Sequence, residues 1–245
     1  MSRPADQIRP VKIQRGYTKS APGSVLYQSG ETIVLCTASI DERLPPWLEK
    51  SGKGWITAEY NMLPGSTNPR KERDRAKVDG RTTEIQRLIG RSLRSVANLP
   101  ALGLRQIVVD CDVLQADGGT RTASITGAWI ALVDAIATVQ DRLPDPTVYP
   151  LRDSLAAISV GIVADQVLMD LDYDLDVAAE VDMNIVMTGS GRFVEIQGCG
   201  EEATFSEAQL SELLALAKAG VAQLTSIQRQ SLSEHWPNSI GQRNG

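Results

Sequence analysis

The segment from residue 106 to residue 139 limits the possible folds of this chain more than any other part. Gln106 to Leu114 places alternating aspartates among apolar residues, which is typical of a buried strand. Ala116 to Gly119 has the glycine-rich composition of a tight turn. Arg121 to about Val139 is rich in Ala and Ile and predicts a helix. Its small residues, Gly127 among them, predict close packing of this helix on a sheet.

The residues before this segment predict further strands and one more helix. Val25 to Tyr27 and Thr32 to Ser39 flank the Ser29-Gly30 turn, which is a hairpin pattern, and Trp55 to Tyr60 predicts another strand. After Gly80, apolar residues recur at spacings of three and four, as they do in a helix. These residues are Ile85, Leu88, Ile89, Leu93 and Val96.

The second half of the chain also mixes strands with a helix. We expect strands over Ala156–Val163 and Val167–Val177, and a hairpin over Met183–Met187 and Phe193–Gln197. A long helix then begins at Ser206, where a capping-box pattern stands. Hairpins and mixed connections of this kind predict an α+β fold rather than a doubly wound sheet.

Two segments lack the periodicity of a packed element. Residues 64–80 are rich in Pro, Gly and charge and predict an exposed loop, and residues 236–245 predict a frayed tail. With 245 residues, 42% of them hydrophobic, the chain suits one large domain or two small ones. Its apolar runs are shorter than a bilayer span and its start has no signal-peptide core, so we expect a cytoplasmic protein.

The charge of the chain is divided unevenly between its two halves. Residues 1–105 hold 18 Lys and Arg against 10 Asp and Glu, a net charge of +8. Residues 106–245 hold 7 against 20, a net charge of −13, which gives −5 for the whole chain. Such a chain can present a basic face to a nucleic acid although it is acidic overall. A solvated charged surface without a nucleic-acid partner is the alternative.

The scarcity of histidine and cysteine excludes several kinds of site. His235 is the only histidine, which argues against a histidine triad or a histidine general base. Cys36, Cys111 and Cys199 stand singly in strand-like segments, so we expect free thiols rather than disulfides or a zinc site. Any chemistry must therefore use carboxylates, arginines and a metal.

The Gly118-Gly119-Thr120-Arg121 sequence is a candidate phosphate site. Glycines after a strand let the backbone approach a ligand, and the start of a helix favours an anion. Thr120 and Arg121 add a hydroxyl and a planar guanidinium suited to phosphate oxygens. Arg81 stands at another predicted helix start, where acids are more usual. The alternative for the glycine sequence is a plain turn between a strand and a helix.

An acidic run near residue 175 is a candidate for metal binding and acid–base chemistry. If its four aspartates lie in a strand, they share one face, and an acidic solvent face explains most of them. Asp182 differs because it begins an apolar strand, and a turn over residues 178–180 would bring it close to Asp176. Two converging carboxylates suit Mg²⁺ or Mn²⁺ and proton transfer. The four aspartates of the run are Asp170, Asp172, Asp174 and Asp176.

Taken together, these segments resemble the RNase PH family over nearly the whole chain, from about residue 9 to about residue 231. The matching stretches are Gly54–Pro64 (GWITAEYNMLP), Gly80–Arg94 (GRTTEIQRLIGRSLR), Asp110–Ala123 (DCDVLQADGGTRTA), Val181–Thr188 (VDMNIVMT) and Phe193–Gly198 (FVEIQG). Ordered matches of this length are specific to a family.

The resemblance implies a fold and an activity. The fold is one RNase PH domain over residues 1–245, made of two similar ββαβα-type halves. The activity is the removal of 3′ nucleotides from tRNA precursors, with inorganic phosphate as co-substrate, and ribosomal RNA is a further expected substrate. It releases nucleoside diphosphates and can run in reverse. The implied assembly is a homohexamer, a trimer of dimers.

The resemblance also implies roles for individual residues. Phosphate binding maps onto Arg81, Gly119, Thr120 and Arg121, and RNA binding maps onto Arg70 and Arg73. The catalytic carboxylates, which also bind Mg²⁺ or Mn²⁺, map onto Asp176 and Asp182. Two departures from the family pattern weaken the roles of individual residues. Gly65 stands where the family usually has an arginine that contacts RNA, and Leu-Asp-Val surrounds Asp176 where the family more often has Glu-Asp-Ser.

Three other functions compete with this one. A non-catalytic ring subunit would have the same fold but would lack part of the arginine and aspartate set, which is present here. Polynucleotide phosphorylase carries two copies of the domain, and 245 residues cannot hold them. A metabolic enzyme with a phosphate loop would need a nucleotide or cofactor fingerprint, and the sequence has none.

Overall fold

Two β-sheets organise the chain in the computed structural model, which describes residues 3–73, 79–201, 203–237 and 240. The first sheet has the strand order β1-β2-β3-β5-β4, and only its β4–β5 pair is parallel. Its strands are β1 (Val11–Arg15), β2 (Gly23–Ser29), β3 (Thr32–Asp41), β4 (Trp55–Met62) and β5 (Gln106–Gln115).

The second sheet is antiparallel throughout and belongs to the second half of the chain. Its order is β7-β6-β8-β9, so that β8 lies between β6 and β9. Its strands are β6 (Leu155–Val163), β7 (Gln166–Met169), β8 (Val181–Thr188) and β9 (Phe193–Gly200).

Four α-helices cover and separate these sheets within the described residues. Helix α1 (Gly80–Ser95) packs on β4, α2 (Thr120–Ala137) packs on strands of both sheets, and α4 (Glu207–Leu232) packs on the second sheet. The short helix α3 (Tyr173–Ala178) links β7 to β8. Each half therefore runs through strands, a helix, strand structure and a final helix, and the expected α+β fold with two similar halves is confirmed.

Helix α2 is buried on all sides because it lies between the two sheets. Its apolar residues contact both sheets, and Trp129 is fully buried among them. Gly127 faces β2 and β3, and a Cβ atom there would lie 2.9 Å from the Cys36 Sγ atom. This close approach is the one that the small residues of the helix predict, and it brings the middle of α2 against the first sheet.

One predicted strand is wrong. The residues expected to extend from Val167 to Val177 leave the sheet after Met169, and Asp170 has a positive φ of 57°. The chain then folds into α3, because the Asp172 carboxylate caps the helix by accepting from the Leu175 amide at 3.0 Å. The alternation of Asp with apolar residues therefore marks a turn and a capped helix here.

The predicted loop and tail lie partly outside the described residues. Within the loop, residues 74–78 are outside them, and most of the residues before these are exposed. Within the tail, residues 238–239 and 241–245 are outside them, whereas Trp236 packs on Trp129 with ring centroids 5.3 Å apart.

Among the described residues, we find no helix long and apolar enough to cross a membrane.

Candidate active site

The glycine turn before α2 forms the centre of the candidate site. Gly118 and Gly119 both have positive φ, 70° and 64°, and they carry the chain from β5 into the first turn of α2. A Cβ atom on Gly118 would lie 2.6 Å from the backbone carbon of Asp172, so the turn packs directly against the start of α3. Glycine is required here by both the backbone conformation and the contact between the two halves.

Arg9 holds this turn from the protein interior. Its guanidinium donates to the Asp117 carbonyl at 2.5 Å and to the Asp170 carboxylate at 2.8 Å. The Asp170 carboxylate also accepts from the Arg9 backbone amide at 2.7 Å, and both side chains are buried. Asp170 is therefore a structural partner of Arg9, and the expected acidic solvent face is wrong for this residue.

Thr120, the first residue of α2, is oriented by a tyrosine on β4. The hydroxyls of Thr120 and Tyr60 share a hydrogen bond of 2.9 Å, and both residues are buried. Burial raises the pKa of the Tyr60 hydroxyl, while its bond to Thr120 and the charges of Arg81 and Arg121 partly oppose this rise. Tyr60 is thus neutral and close to both arginines.

Arg121 points from α2 toward α1 and β9. Its Nη1 atom donates to the Gln197 side-chain oxygen at 2.8 Å and lies 3.4 Å from a carboxylate oxygen of Glu84. Gln197 completes a triangle by donating from its Nε2 atom to the same Glu84 oxygen at 2.9 Å. The contacts join α1, α2 and β9, so residues from both halves of the fold hold this guanidinium.

Arg81 lies in the first turn of α1. Asp79 caps this helix by accepting from the Thr82 amide at 2.5 Å, and Lys71 lies 3.0 Å from the same carboxylate. The positive charge of Arg81 partly opposes the rise in the pKa of Tyr60 and of Asp176, so Arg81 lies within electrostatic range of β4 and of the acidic residues.

Asp176 and Asp182 come close together, although the strand that was expected to carry Asp176 does not form. Asp176 lies on α3, and the chain then turns so that Asp182 lies on β8. On β8, Val181 and Met183 are buried in the core beneath α4, and the alternation therefore turns Asp182 to the opposite, site-facing side.

The charge environment of Asp176 shows this convergence directly. Partial desolvation is the main cause that raises the pKa of Asp176, and the neighbouring Asp182 raises it further. Arg81 and Arg121 oppose the rise, while Glu201 adds to it. The structure thus brings two predicted arginines and two predicted aspartates into one electrostatic neighbourhood.

The two residues predicted to bind RNA take no part in the contacts described above. Arg70 and Arg73 are exposed in the described part of the basic loop, before α1. Within the described residues, His, Cys, Asp and Glu form no cluster of three or more that could hold a metal ion. Cys36 and Cys111 are buried free thiols, and Cys199 is exposed on β9.

Four residues of the site were not predicted from the sequence. They are Arg9, before β1, together with Tyr60 on β4, Glu84 on α1 and Gln197 on β9, and each lies far along the chain from the residues that it contacts. No local motif marks them, because each acts through a contact that only the folded chain creates. Tyr60, Glu84 and Gln197 lie within stretches that resemble the RNase PH family, and this resemblance is the only signal in the sequence that marks them.

The arrangement is suited to bind an anion next to a pair of carboxylates. The start of α2 supplies backbone amides and the positive end of a helix dipole, and Thr120 supplies a hydroxyl. Arg81 and Arg121 supply full positive charges, and a planar guanidinium matches the oxygens of phosphate. The aspartates stand beside this positive region, where they can bind a cation or exchange a proton.

Comparison with protein families gives matches over both halves. The chain matches the model of the RNase PH 3′ exoribonuclease family, domain 1, over residues 7–137. It matches the model of domain 2 of the same family over residues 153–220.

Curated relatives match over almost their full length. A ribonuclease PH from Rhodopirellula baltica is 66% identical over 237 residues, which cover 94% of this chain and 96% of the relative. A ribonuclease PH from a Methylobacterium species is 59% identical over 232 residues, which cover 94% of this chain and 98% of the relative.

Solved structures have the same fold at much lower identity. Rice Rrp46 superposes with a TM-score of 0.77 and 19% identity over 94% of this chain and 98% of that one. A chain of the Archaeoglobus fulgidus exosome with RNA bound to its active site gives a TM-score of 0.78 and 22% identity, over 92% and 90% of the two chains.

Proposed function

This chain belongs to the RNase PH family of 3′ exoribonucleases, and from that premise we propose that it trims tRNA precursors by phosphorolysis at the site around Arg121. Inorganic phosphate is the co-substrate. One of its oxygens attacks the phosphorus of the last phosphodiester, and the bond from phosphorus to the 3′ oxygen breaks. The products are a nucleoside diphosphate and an RNA that is one nucleotide shorter, with a free 3′ hydroxyl.

The observation that carries this proposal is the meeting of Arg81, Arg121 and the start of α2 with the Asp176–Asp182 pair. Phosphate and the phosphodiester are both anions, so their approach requires positive charge that is already in place. Phosphoryl transfer depends mainly on positioning and charge neutralisation, and Thr120 with the two arginines supplies both.

Asp176 and Asp182 would serve the 3′ oxygen that leaves. Asp176 is the better candidate of the two to donate a proton to that oxygen, because partial desolvation and the nearby Asp182 raise its pKa. The reverse reaction, nucleotide addition, would use the same residues in the opposite direction.

The same pair fits a divalent cation such as Mg²⁺ or Mn²⁺. Two carboxylates that repel each other would be relieved by a cation between them, and Mg²⁺ is commonly held by one or two carboxylates together with substrate phosphates. When bound, the ion would neutralise charge on the phosphodiester and on the leaving oxygen. Asp176 and Asp182 are the residues that would hold it.

RNA binding and assembly complete the proposal. Arg70 and Arg73 are exposed on the basic loop, in the half of the chain that carries the positive charge, and they would contact the RNA backbone. A homohexamer would place several such loops around one RNA, which strengthens binding through multivalency.

Incubation with a tRNA precursor that carries extra 3′ nucleotides tests the reaction. With Mg²⁺ and phosphate, we expect stepwise shortening and release of nucleoside diphosphates, identified by chromatography. Arg121→Ala should lower kcat/KM by about 100-fold or more, the usual loss when a group that stabilises transition-state charge is removed. Arg152→Ala, a change at an exposed arginine away from these residues, is the matched control.

Two results would contradict the proposal. Shortening without phosphate, with release of nucleoside monophosphates, would show hydrolysis instead. Binding of RNA without any shortening would favour the non-catalytic ring subunit.

A further inference from the structure

We propose that Gln197 is a positioning residue that keeps Arg121 available to phosphate by holding the Glu84 carboxylate at a distance. The inference rests on the proposed function, in which Arg121 binds phosphate. It adds a second requirement: the arginine must not be neutralised by the protein's own carboxylate before phosphate arrives.

The distances in the triangle support this role. Gln197 makes the two short contacts, 2.8 Å to Arg121 and 2.9 Å to Glu84. The direct contact between Arg121 and Glu84 is 3.4 Å, longer than the usual range of about 2.7–2.9 Å for a charge-assisted hydrogen bond. The side-chain amide of Gln197 therefore makes one hydrogen bond to each charged partner and lies between them.

A side-chain amide can make both contacts through two separate groups. Its oxygen accepts from the guanidinium, and its NH₂ group donates to the carboxylate. A neutral acceptor orients Arg121 without cancelling its charge, whereas a closed Arg121–Glu84 ion pair would cancel most of it. The Arg121 side chain is 15% exposed and the Glu84 side chain is 43% exposed, so water screens this competition from the Glu84 side only.

Loss of the amide should therefore let Glu84 compete with phosphate. In Gln197→Ala, we expect the KM for phosphate to rise about tenfold, because hydrogen bonds to charged groups contribute on that scale. The KM for RNA should stay within about twofold of the original value, since the change leaves the glycine turn before α2 and the loop of residues 64–80 as they are. Glu84→Gln alone should not raise the KM for phosphate.

The double variant separates competition from simple loss of structure. If Glu84 is the competitor, adding Glu84→Gln to Gln197→Ala should return the KM for phosphate most of the way to the original value. A merely structural role for Gln197 predicts that the second change, which removes another contact, makes the defect worse.

Glu195→Gln is the matched control. Glu195 lies two residues before Gln197 on β9 and pairs with Arg91 of α1, so it also ties β9 to α1, but it does not contact Arg121. Its loss should leave the KM for phosphate within about twofold. An equal rise in Glu195→Gln and Gln197→Ala would overturn the inference, because the effect would then come from the α1–β9 contact.

Steady-state kinetics in phosphate and RNA, with Arg121→Ala as a fifth variant, decide between the outcomes. A rise in phosphate KM in Gln197→Ala that Glu84→Gln reverses supports the inference. An unchanged phosphate KM in Gln197→Ala, while Arg121→Ala loses the phosphate response, overturns this inference alone. An unchanged phosphate response in Arg121→Ala overturns both the proposed phosphate site and this inference.

Discussion

At the residue scale, the most demanding interaction is the buried pair of Arg9 and Asp170. The two charged side chains are almost fully enclosed, and together they hold the glycine turn before α2. Charges taken out of water are tolerated only when they are paired and hydrogen-bonded. The site therefore depends on a contact between the start of the chain and the junction of β7 with α3.

Replacing Arg9 by alanine should destabilise the protein strongly. The change leaves the Asp170 carboxylate buried without its main partner, which typically costs about 3–5 kcal/mol of unfolding free energy. Urea denaturation followed by circular dichroism would measure the loss. Arg3→Ala is the control, because Arg3 also pairs with Asp170 but from a more exposed position, and it should cost less. Equal losses in the two variants would contradict this interpretation.

The sequence predicted the residues of the site that belong to a local pattern. Thr120 and Arg121 follow two glycines at a helix start, and this order has a physical meaning without any tertiary information. Gln197 could not be found in this way, because nothing in its strand distinguishes a glutamine that spaces two charges from one that faces solvent. Residue roles that arise from distant contacts need the folded chain.

At the element scale, α3 shows why strand alternation can mislead. Its residues alternate Asp with apolar side chains, as an edge strand would, but a six-residue helix with a capping aspartate also fits them. The positive φ of Asp170 ends β7 and directs the chain away from the sheet. Local hydrogen bonds of aspartate side chains compete with strand pairing, and here they prevail. The longer elements were predicted correctly because their apolar periodicity extends over more turns or pairs.

The N-cap of α1 holds the helix turn that carries Arg81, and its contribution can be tested separately. Asp79 accepts from the Thr82 amide and lies beside Lys71, and these contacts lower its pKa to about 2. Asp79→Ala should cost about 1 kcal/mol of unfolding free energy, the usual value of an N-cap aspartate. It should also weaken phosphate binding, because Arg81 lies in the first turn of this helix.

The pH dependence of this cap has a definite sign. Because the folded pKa of Asp79 lies below its unfolded value of about 3.9, its contribution is present above that value and is lost as pH falls from about 4 to about 2. The stability difference between the original protein and Asp79→Ala should therefore shrink over this range in urea titrations. A difference that stays constant down to pH 2 would show that the charge of Asp79 has no part in the cap.

At the scale of the whole molecule, the uneven charge predicts how RNA binding responds to salt. The positive half of the chain includes the exposed Arg70 and Arg73, which we propose contact RNA phosphates. Each such contact contributes about 0.7–0.9 to the slope of log affinity against log salt, so Arg70→Ala with Arg73→Ala should reduce the slope by about 1.4–1.8. Filter binding at several salt concentrations would measure it, with Arg142→Ala and Arg152→Ala as the control pair. Equal changes in the two pairs would indicate a nonspecific charge effect.

The proposed hexamer requires a surface through which the chains contact one another. Among the described residues, several large apolar side chains remain exposed on the second half of the chain, and they are candidates for contacts between the proposed chains. They are Tyr173 and Val177 on α3, and Phe193 and Ile196 on β9. We expect sedimentation velocity to give a species of six chains, and we expect Ile196→Glu to produce smaller species.

RNA affinity should fall together with the assembly. A single chain presents one basic loop, whereas a ring would present several to the same RNA, and their combined binding exceeds that of one loop. Ile196→Glu should therefore weaken RNA binding while leaving the phosphate KM of the remaining activity nearly unchanged, because Ile196 is absent from the Arg121 contacts. Leu104→Glu, at an exposed apolar residue in the first half of the chain, is the control. Full RNA affinity in a dissociated variant would show that one chain suffices and that the ring serves another purpose.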